Sequence, residues 1–142
     1  MRAIGFDLGT KTLGVAISDR SKTIASSLMT IRFHEEDYES LLPQIKELIE
    51  LYEVDEIVMG FPKNMNNTIG PRGEATIAFQ KRLEEYLGKD VILQDERLST
   101  VSAHHYMLEA DLSRKKRKEK VDALAASIIL QTYLDKEKGK RK

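Results

Sequence analysis

Three acidic positions stand where a carboxylate needs a reason to be. Asp7 interrupts the apolar run Ile4-Gly-Phe-Asp-Leu-Gly-Thr-Lys-Thr-Leu-Gly-Val-Ala-Ile17, Asp95-Glu96 closes the run that starts at Val91, and Asp122 opens a segment of small and branched apolar residues. An ionised carboxylate among apolar neighbours must be hydrogen-bonded, paired with a cation or bound to a metal. Local explanations exist for two of them. Asp7 could accept backbone N–H groups from the Gly9 turn, and an aspartate early in a helix, as Asp122 is expected to be, meets the helix dipole favourably. Taken together, however, Asp7, Glu96 and Asp122 come from a first strand, a late strand and a final helix, which can meet at one sheet edge. Clustered carboxylates repel one another unless a cation compensates them, and oxygen-only donors favour Mg2+ or Mn2+ over zinc. Two such ions about 4 Å apart would activate water and steady the leaving oxygen of a phosphodiester.

Competing chemistries lack their parts. The chain has no cysteine, which excludes thiol catalysis, disulfides and thiolate zinc sites. It has no Gly-x-Ser-x-Gly elbow and no defensible serine–histidine pairing. His104 and His105 fall in a predicted helix, where neighbours project about 100° apart, so they read as surface or groove residues rather than joint metal ligands.

The elements that must position these groups follow from the pattern. Ala3–Leu8 and Leu13–Ile17 flank Gly9-Thr10-Lys11 and read as a β-hairpin; Thr23–Phe33 reads as a third strand completing an antiparallel meander. Tyr38, Leu41, Leu42, Ile45, Leu48, Ile49 and Tyr52 recur at helical steps, with Pro43 suited to the helix start. Glu56–Gly60 is a compact apolar run after that helix, hence a parallel strand reached by a crossover. The segment 60–73, dense in Gly, Pro and Asn, is a long loop after a strand's carboxyl end, where open α/β sheets bind ligands. Helices are predicted over 74–87, ended by Gly88, over 101–108, capped by Ser99 or Thr100, and from Val121 to Leu134, with a strand at Val91–Asp95. The order is a mixed α/β sheet with helices on its faces.

At 142 residues the chain suits one domain, 1–142, with a basic tail from about 136. Its zero net charge hides a division, with a net of plus six from Asp111 onward and minus six before it. The positive charge lies in two blocks, Arg114–Lys120 and Lys136–Lys142, which are solvated faces or phosphate contacts. No eighteen-residue apolar run and no leader-like N-terminal segment occurs, so a cytoplasmic protein without a membrane partner is expected.

The phrases Phe6-Asp-Leu-Gly-Thr-Lys-Thr-Leu-Gly-Val-Ala16, Gly60-Phe-Pro-Lys-Asn-Met65 with Gly70-Pro71, Asp95-Glu-Arg-Leu-Ser-Thr100 and Lys120-Val-Asp-Ala-Leu-Ala-Ala126 resemble the YqgF (RuvX) family. Its members are described as Holliday junction resolvases and as the nuclease that matures pre-16S ribosomal RNA. The resemblance spans nearly the whole chain. It implies a ribonuclease H-like fold, a five-stranded sheet with three antiparallel strands and then two parallel ones, and Asp7, Glu96 and Asp122 as an acidic triad holding Mg2+ or Mn2+. Asp95 and Glu96 are adjacent and point to opposite faces of a strand, and the family pattern selects Glu96. Lys11, Lys63, Asn64, Arg72 and Arg97 are the candidates for phosphate or backbone contact, from cationic or amide chemistry on the rims of such a site.

The expected activity is metal-dependent endonucleolytic hydrolysis of structured nucleic acid, pre-rRNA or branched DNA, with ribosomal precursor particles as a partner. Two other readings compete. One is an inactive nucleic-acid-binding module, which three unneutralised carboxylates facing phosphates oppose. The other takes Asp7-Leu-Gly-Thr-Lys11 as the phosphate hairpin of a sugar-kinase-like ATPase, which needs a second domain for which this chain has no room. A resolvase acting on a two-fold junction would work as a dimer.

Overall fold

The computed structural model describes the backbone of residues 1–9, 11–35, 37–61, 71–95 and 114–140, and their side chains except at 71, 72, 95, 114–122 and 138–140. Three strands, β1 (Arg2–Leu8), β2 (Thr12–Ser18) and β3 (Ala25–Arg32), form the predicted meander. A 3-10 turn at Tyr38–Ser40 leads into α1 (Leu41–Leu51), then β4 (Val54–Phe61), α2 (Pro71–Leu87), β5 (Val91–Asp95) and α3 (Arg114–Lys140). The sheet order is β3-β2-β1-β4-β5. β1 pairs antiparallel with β2 and parallel with β4, while β4 pairs parallel with β5. The carboxyl ends of β1, β4 and β5 therefore share one edge of the sheet.

Alternation along β1 divides the core in two. Ile4, Phe6 and Leu8 face α1 and α2, packing in one cluster with Ile45, Leu48, Ile49, Phe79 and Leu83. Ala3 faces α3 instead, in a second cluster with Ala16, Val58, Ala126, Ile129, Leu130, Tyr133 and Leu134. Because side chains alternate, Gly5 and Asp7 belong to the α3 face with Ala3.

Local chemistry explains the boundaries. Pro43 is the third residue of α1, within the first turn, where its missing N–H has no intrahelical partner to lose. The second helix starts at Pro71, three residues before the predicted Glu74, because a proline at the first helical position has its φ already set. Gly88 ends it with φ of +67°, its N–H donating to the Glu84 carbonyl at 2.8 Å. The last helix starts at Arg114, not Val121, and runs to Lys140, so both basic blocks are helical through that residue. The predicted helix over 101–108, with His104 and His105, and the 62–70 part of the loop lie outside the described residues.

Candidate active edge of the sheet

Asp7 sits one residue from the end of the central strand, half-buried, on the α3 face. Its partner across β2 is Gly14. On the other side Phe6 is level with Met59 and Met59 with Leu93, so Asp7 lies at the level of Gly60 and Gln94. Neither flanking residue carries a side chain. Gly14 and Gly60 leave a bare floor on both sides of the carboxylate, and a glycine inside a strand marks such close approach. The Gly9 N–H donates to the Thr12 carbonyl at 2.8 Å, closing the hairpin, so that donor serves the turn rather than Asp7.

The direction of α3 follows from its contacts at the far end of the sheet. Tyr133 Oη donates to Glu56 Oε2 at 2.8 Å, near the start of β4. The Gln131 side chain accepts from the Ala25 N–H at 2.8 Å and donates to the Thr23 carbonyl at 2.9 Å. Near the middle, Gly5 lies beneath Ala126 and Leu130. The helix thus runs opposite to β1, and its earlier residues approach the carboxyl edge. From Gly5 to Asp7 the strand advances about 6.6 Å. From Ala126 back to Asp122 the helix advances about 6 Å, along the stripe that four-residue spacing defines. Measured from midway between Ala126 and Leu130, the advance from Gly5 to Asp7 reaches about position 124, so the backbone of Asp122 stands within about one helical turn of that level.

This geometry removes the local explanation for Asp122. The helix begins eight residues earlier, at Arg114, whereas the dipole acts within the first turn. Of the other candidates, Asp95 ends β5 at the same edge, and Lys11 is exposed in the hairpin turn. Arg72 is the second residue of α2, with its side chain outside the description. Glu96, Arg97, Lys63 and Asn64 lie outside the described residues. Positions 7 and 95 lie at the carboxyl ends of β1 and β5, at the same edge of the sheet, and α3 runs toward that edge through its earlier residues; the two glycines beside Asp7, Gly14 and Gly60, carry a signal of their own, glycine placed inside strands.

A second polar cluster, at the opposite end of the sheet, anchors α3. Lys22, in the left-handed region at φ 56°, inserts its ammonium between Asp55 (2.8 Å) and Glu56 (2.5 Å) with 15% of its side chain exposed. Burial is the largest influence on Lys22 and lowers its pKa, but hydrogen bonds and charge from Asp55 and Glu56 together raise it above the ordinary value. Burial likewise pushes Glu56 up, yet the bonds from Lys22 and Tyr133 bring it below the usual carboxylate value. Asp55 is lowered chiefly by its hydrogen bond from Lys22. Nothing in the sequence links Lys22 to this acidic pair, which lies more than thirty positions away.

Comparison with known proteins agrees with the architecture. A Thermus thermophilus RuvC solved in complex with a Holliday junction substrate superposes with a TM-score of 0.61 at 14% identity, over 98% of this chain and 96% of that one. The fowlpox virus resolvase, solved with Holliday junction DNA, gives 0.55 at 13% identity over 96% and 99%. These likenesses define the fold, the ribonuclease H-like class. In sequence, a Geobacillus protein (strain WCH70) with the provisional name of pre-16S rRNA nuclease is 55% identical over 135 residues, 95% of this chain and 98% of its own length. A Bacillus cereus protein (strain AH187) of the same name is 52% identical over 136 residues, 96% and 99% of the two chains. The family model described as RuvX, Holliday junction resolvase, matches residues 1–136, and the chain belongs to that family.

Proposed function

We propose that this protein is a metal-dependent endonuclease that hydrolyses phosphodiester bonds in structured nucleic acid. The observation that supports this reading is Asp7 between Gly14 and Gly60 at the carboxyl edge, on the face over which α3 runs toward that edge. Glu96, one residue beyond the end of β5, completes the proposed donor set. The donors are all oxygens, the Asp7 carboxylate is half-buried, and the strands beside it carry no side chain at its level, which suits a hard cation and its waters. Asp7, Glu96 and Asp122 would hold Mg2+ or Mn2+. When bound, such ions supply the charge that activates water and steadies the leaving oxygen. The chain's own carboxylates would hold that charge in place at the sheet edge.

Substrate contact falls to cations around this edge. Three residues separate Gly5 from Leu8, about 10 Å of strand or roughly seven residues of helix, so α3 passes the sheet edge near position 121. Arg114–Lys120, six of whose seven residues are basic, precede that point. Positive charge at a helix N-terminus is opposed by the dipole, and a phosphate-bearing partner accounts for it. Lys11, Lys63, Asn64, Arg72 and Arg97 are proposed to share this contact. The relatives' name supports pre-16S rRNA as the first substrate, within ribosomal precursor particles in the cytoplasm; the family description supports the four-way DNA junction as the second. No described helix is long and apolar enough to cross a membrane.

The test is to incubate wild type and Asp7→Asn with Mg2+ and two labelled substrates, a 5' precursor fragment of 16S rRNA and a four-way junction. Wild type cleaves the precursor, and Asp7→Asn keeps its circular dichroism spectrum. Its loss of rate exceeds the roughly 10–100-fold typical of an outer-shell partner. Full cleavage by the folded variant contradicts the proposal, and preference for the junction replaces the first substrate with the second.

A further inference from the structure

We infer that Gly5 is a positioning residue for the acidic site, setting the height of α3 above the sheet and with it the separation of Asp122 from Asp7. The inference rests on the metal-binding reading above. A Cβ built on Gly5 would stand 2.8 Å from the Leu130 Cβ and 3.3 Å from the Ala126 carbonyl oxygen. Carbon atoms in contact prefer about 3.5–4.0 Å, so one added methyl must lift the helix by roughly an ångström at this point. Neither neighbour can step aside. The Leu130 Cβ is fixed to the helix backbone, the Ala126 oxygen is part of it, and both residues are fully buried.

The location gives this contact its consequence. Gly5 is two residues before Asp7 on the same face of β1, and Ala126 is one turn after Asp122 on the same stripe of α3. A lift at Ala126 is therefore passed to Asp122 through a single helical turn, while Asp7 stays with the sheet. At the other end the helix is tied down by Tyr133 to Glu56 and by Gln131 to the β2–β3 turn and the start of β3, so the displacement is directed toward the acidic edge. The small residues Ala3 and Ala16 in the same cluster continue the close approach.

Ions differ in how they register such a change. Mg2+ requires near-octahedral ligands at about 2.0–2.1 Å, whereas Ca2+ accepts about 2.3–2.6 Å and irregular geometry. Loss of stability alone would weaken both ions together. A wider spacing of carboxylates weakens Mg2+ and spares Ca2+, and that difference separates positioning from folding.

The experiment is calorimetric titration of the full chain with Mg2+ alone and Ca2+ alone, for wild type, Asp7→Asn, Gly5→Ala and Leu134→Ala. Gly5→Ala is expected to lose at least about tenfold in Mg2+ affinity and less than about threefold for Ca2+. Leu134→Ala, destabilised at the far end of the same cluster, keeps the wild-type ratio of the two affinities. Should Gly5→Ala fail to fold, Leu130→Ile adds a branch at the very Cβ that faces Gly5 and is expected to move the ratio in the same direction. An unchanged ratio in the folded variant overturns the inference. If wild type binds Mg2+ and Asp7→Asn does not, that overturning touches Gly5 alone; if wild type binds neither ion, the metal-binding reading falls and this inference with it.

Discussion

A carboxylate in a strand and a half-buried lysine in a turn are both costly unless something answers their charge. At the amino end the answer is internal: Lys22 meets Asp55 and Glu56, and Tyr133 ties Glu56 to α3. Asp55 and Glu56 have lowered pKa values, so their contribution is present above the ordinary carboxylate range and is lost as pH falls through it. Lys22 has a raised value, so its contribution is present below the ordinary lysine value and is lost as pH rises beyond it. Glu56→Gln should therefore cost about 1–2 kcal/mol at pH 7, a difference from wild type that shrinks below about pH 4.3. Urea unfolding across pH checks this, and a difference independent of pH would refute the ionic origin. Tyr133→Phe should cost about 1 kcal/mol, because it removes one hydrogen bond to a charged, partly screened group. At the carboxyl end Asp7 lies between Gly14 and Gly60, neither of which sets a side chain beside it.

The elements explain why the hairpin and the last helix matter most. Gly9 holds the hairpin tight, since a Cβ there would stand 3.1 Å from the Thr12 carbonyl and 3.2 Å from its Oγ1. Gly9→Ala should destabilise by about 1 kcal/mol, lowering the urea midpoint with an unchanged m-value. An unchanged midpoint would show that the turn gives way without cost. The hairpin, the crossover strand and α1 were legible in sequence, because Val15, Ile17 and Ile57 mark strands and Leu41, Ile45 and Leu48 recur on one helical face. The start of α3 was not. Arg114–Lys120 has no apolar period to announce a helix, and the segment takes its helical form as a continuation of the packed stripe from Ala123 onward. Nor could Gly5 be paired in advance with Leu130, since a glycine within a strand says that something approaches but not what. The Lys22 cluster was hidden for the same reason: its partners meet across the fold.

Over the whole molecule, charge and acid chemistry are segregated: a net negative body carries the sheet, and a net positive C-terminal region supplies α3. On the proposed reading, nucleic acid meets the basic segment Arg114–Lys120 first and the carboxylates next. Replacing Arg114, Lys115, Lys116, Arg117, Lys118 and Lys120 with glutamine should flatten the salt dependence of binding, each lost phosphate contact taking about 0.9 from the logarithmic slope for duplex DNA or about 0.7 for a single strand. Filter binding at several salt concentrations checks it, with unchanged Mg2+ affinity as the companion result. A slope equal to wild type would move the contact elsewhere. The claim beneath all of this is that acid groups remote in sequence share one ion. Crystals soaked in Mn2+ and measured at the manganese absorption edge test it directly. The account predicts an anomalous peak at the carboxyl edge with Asp7 and Asp122 both bound to it, and a peak that touches Asp7 with Asp122 turned away, or peaks at neither, would contradict it.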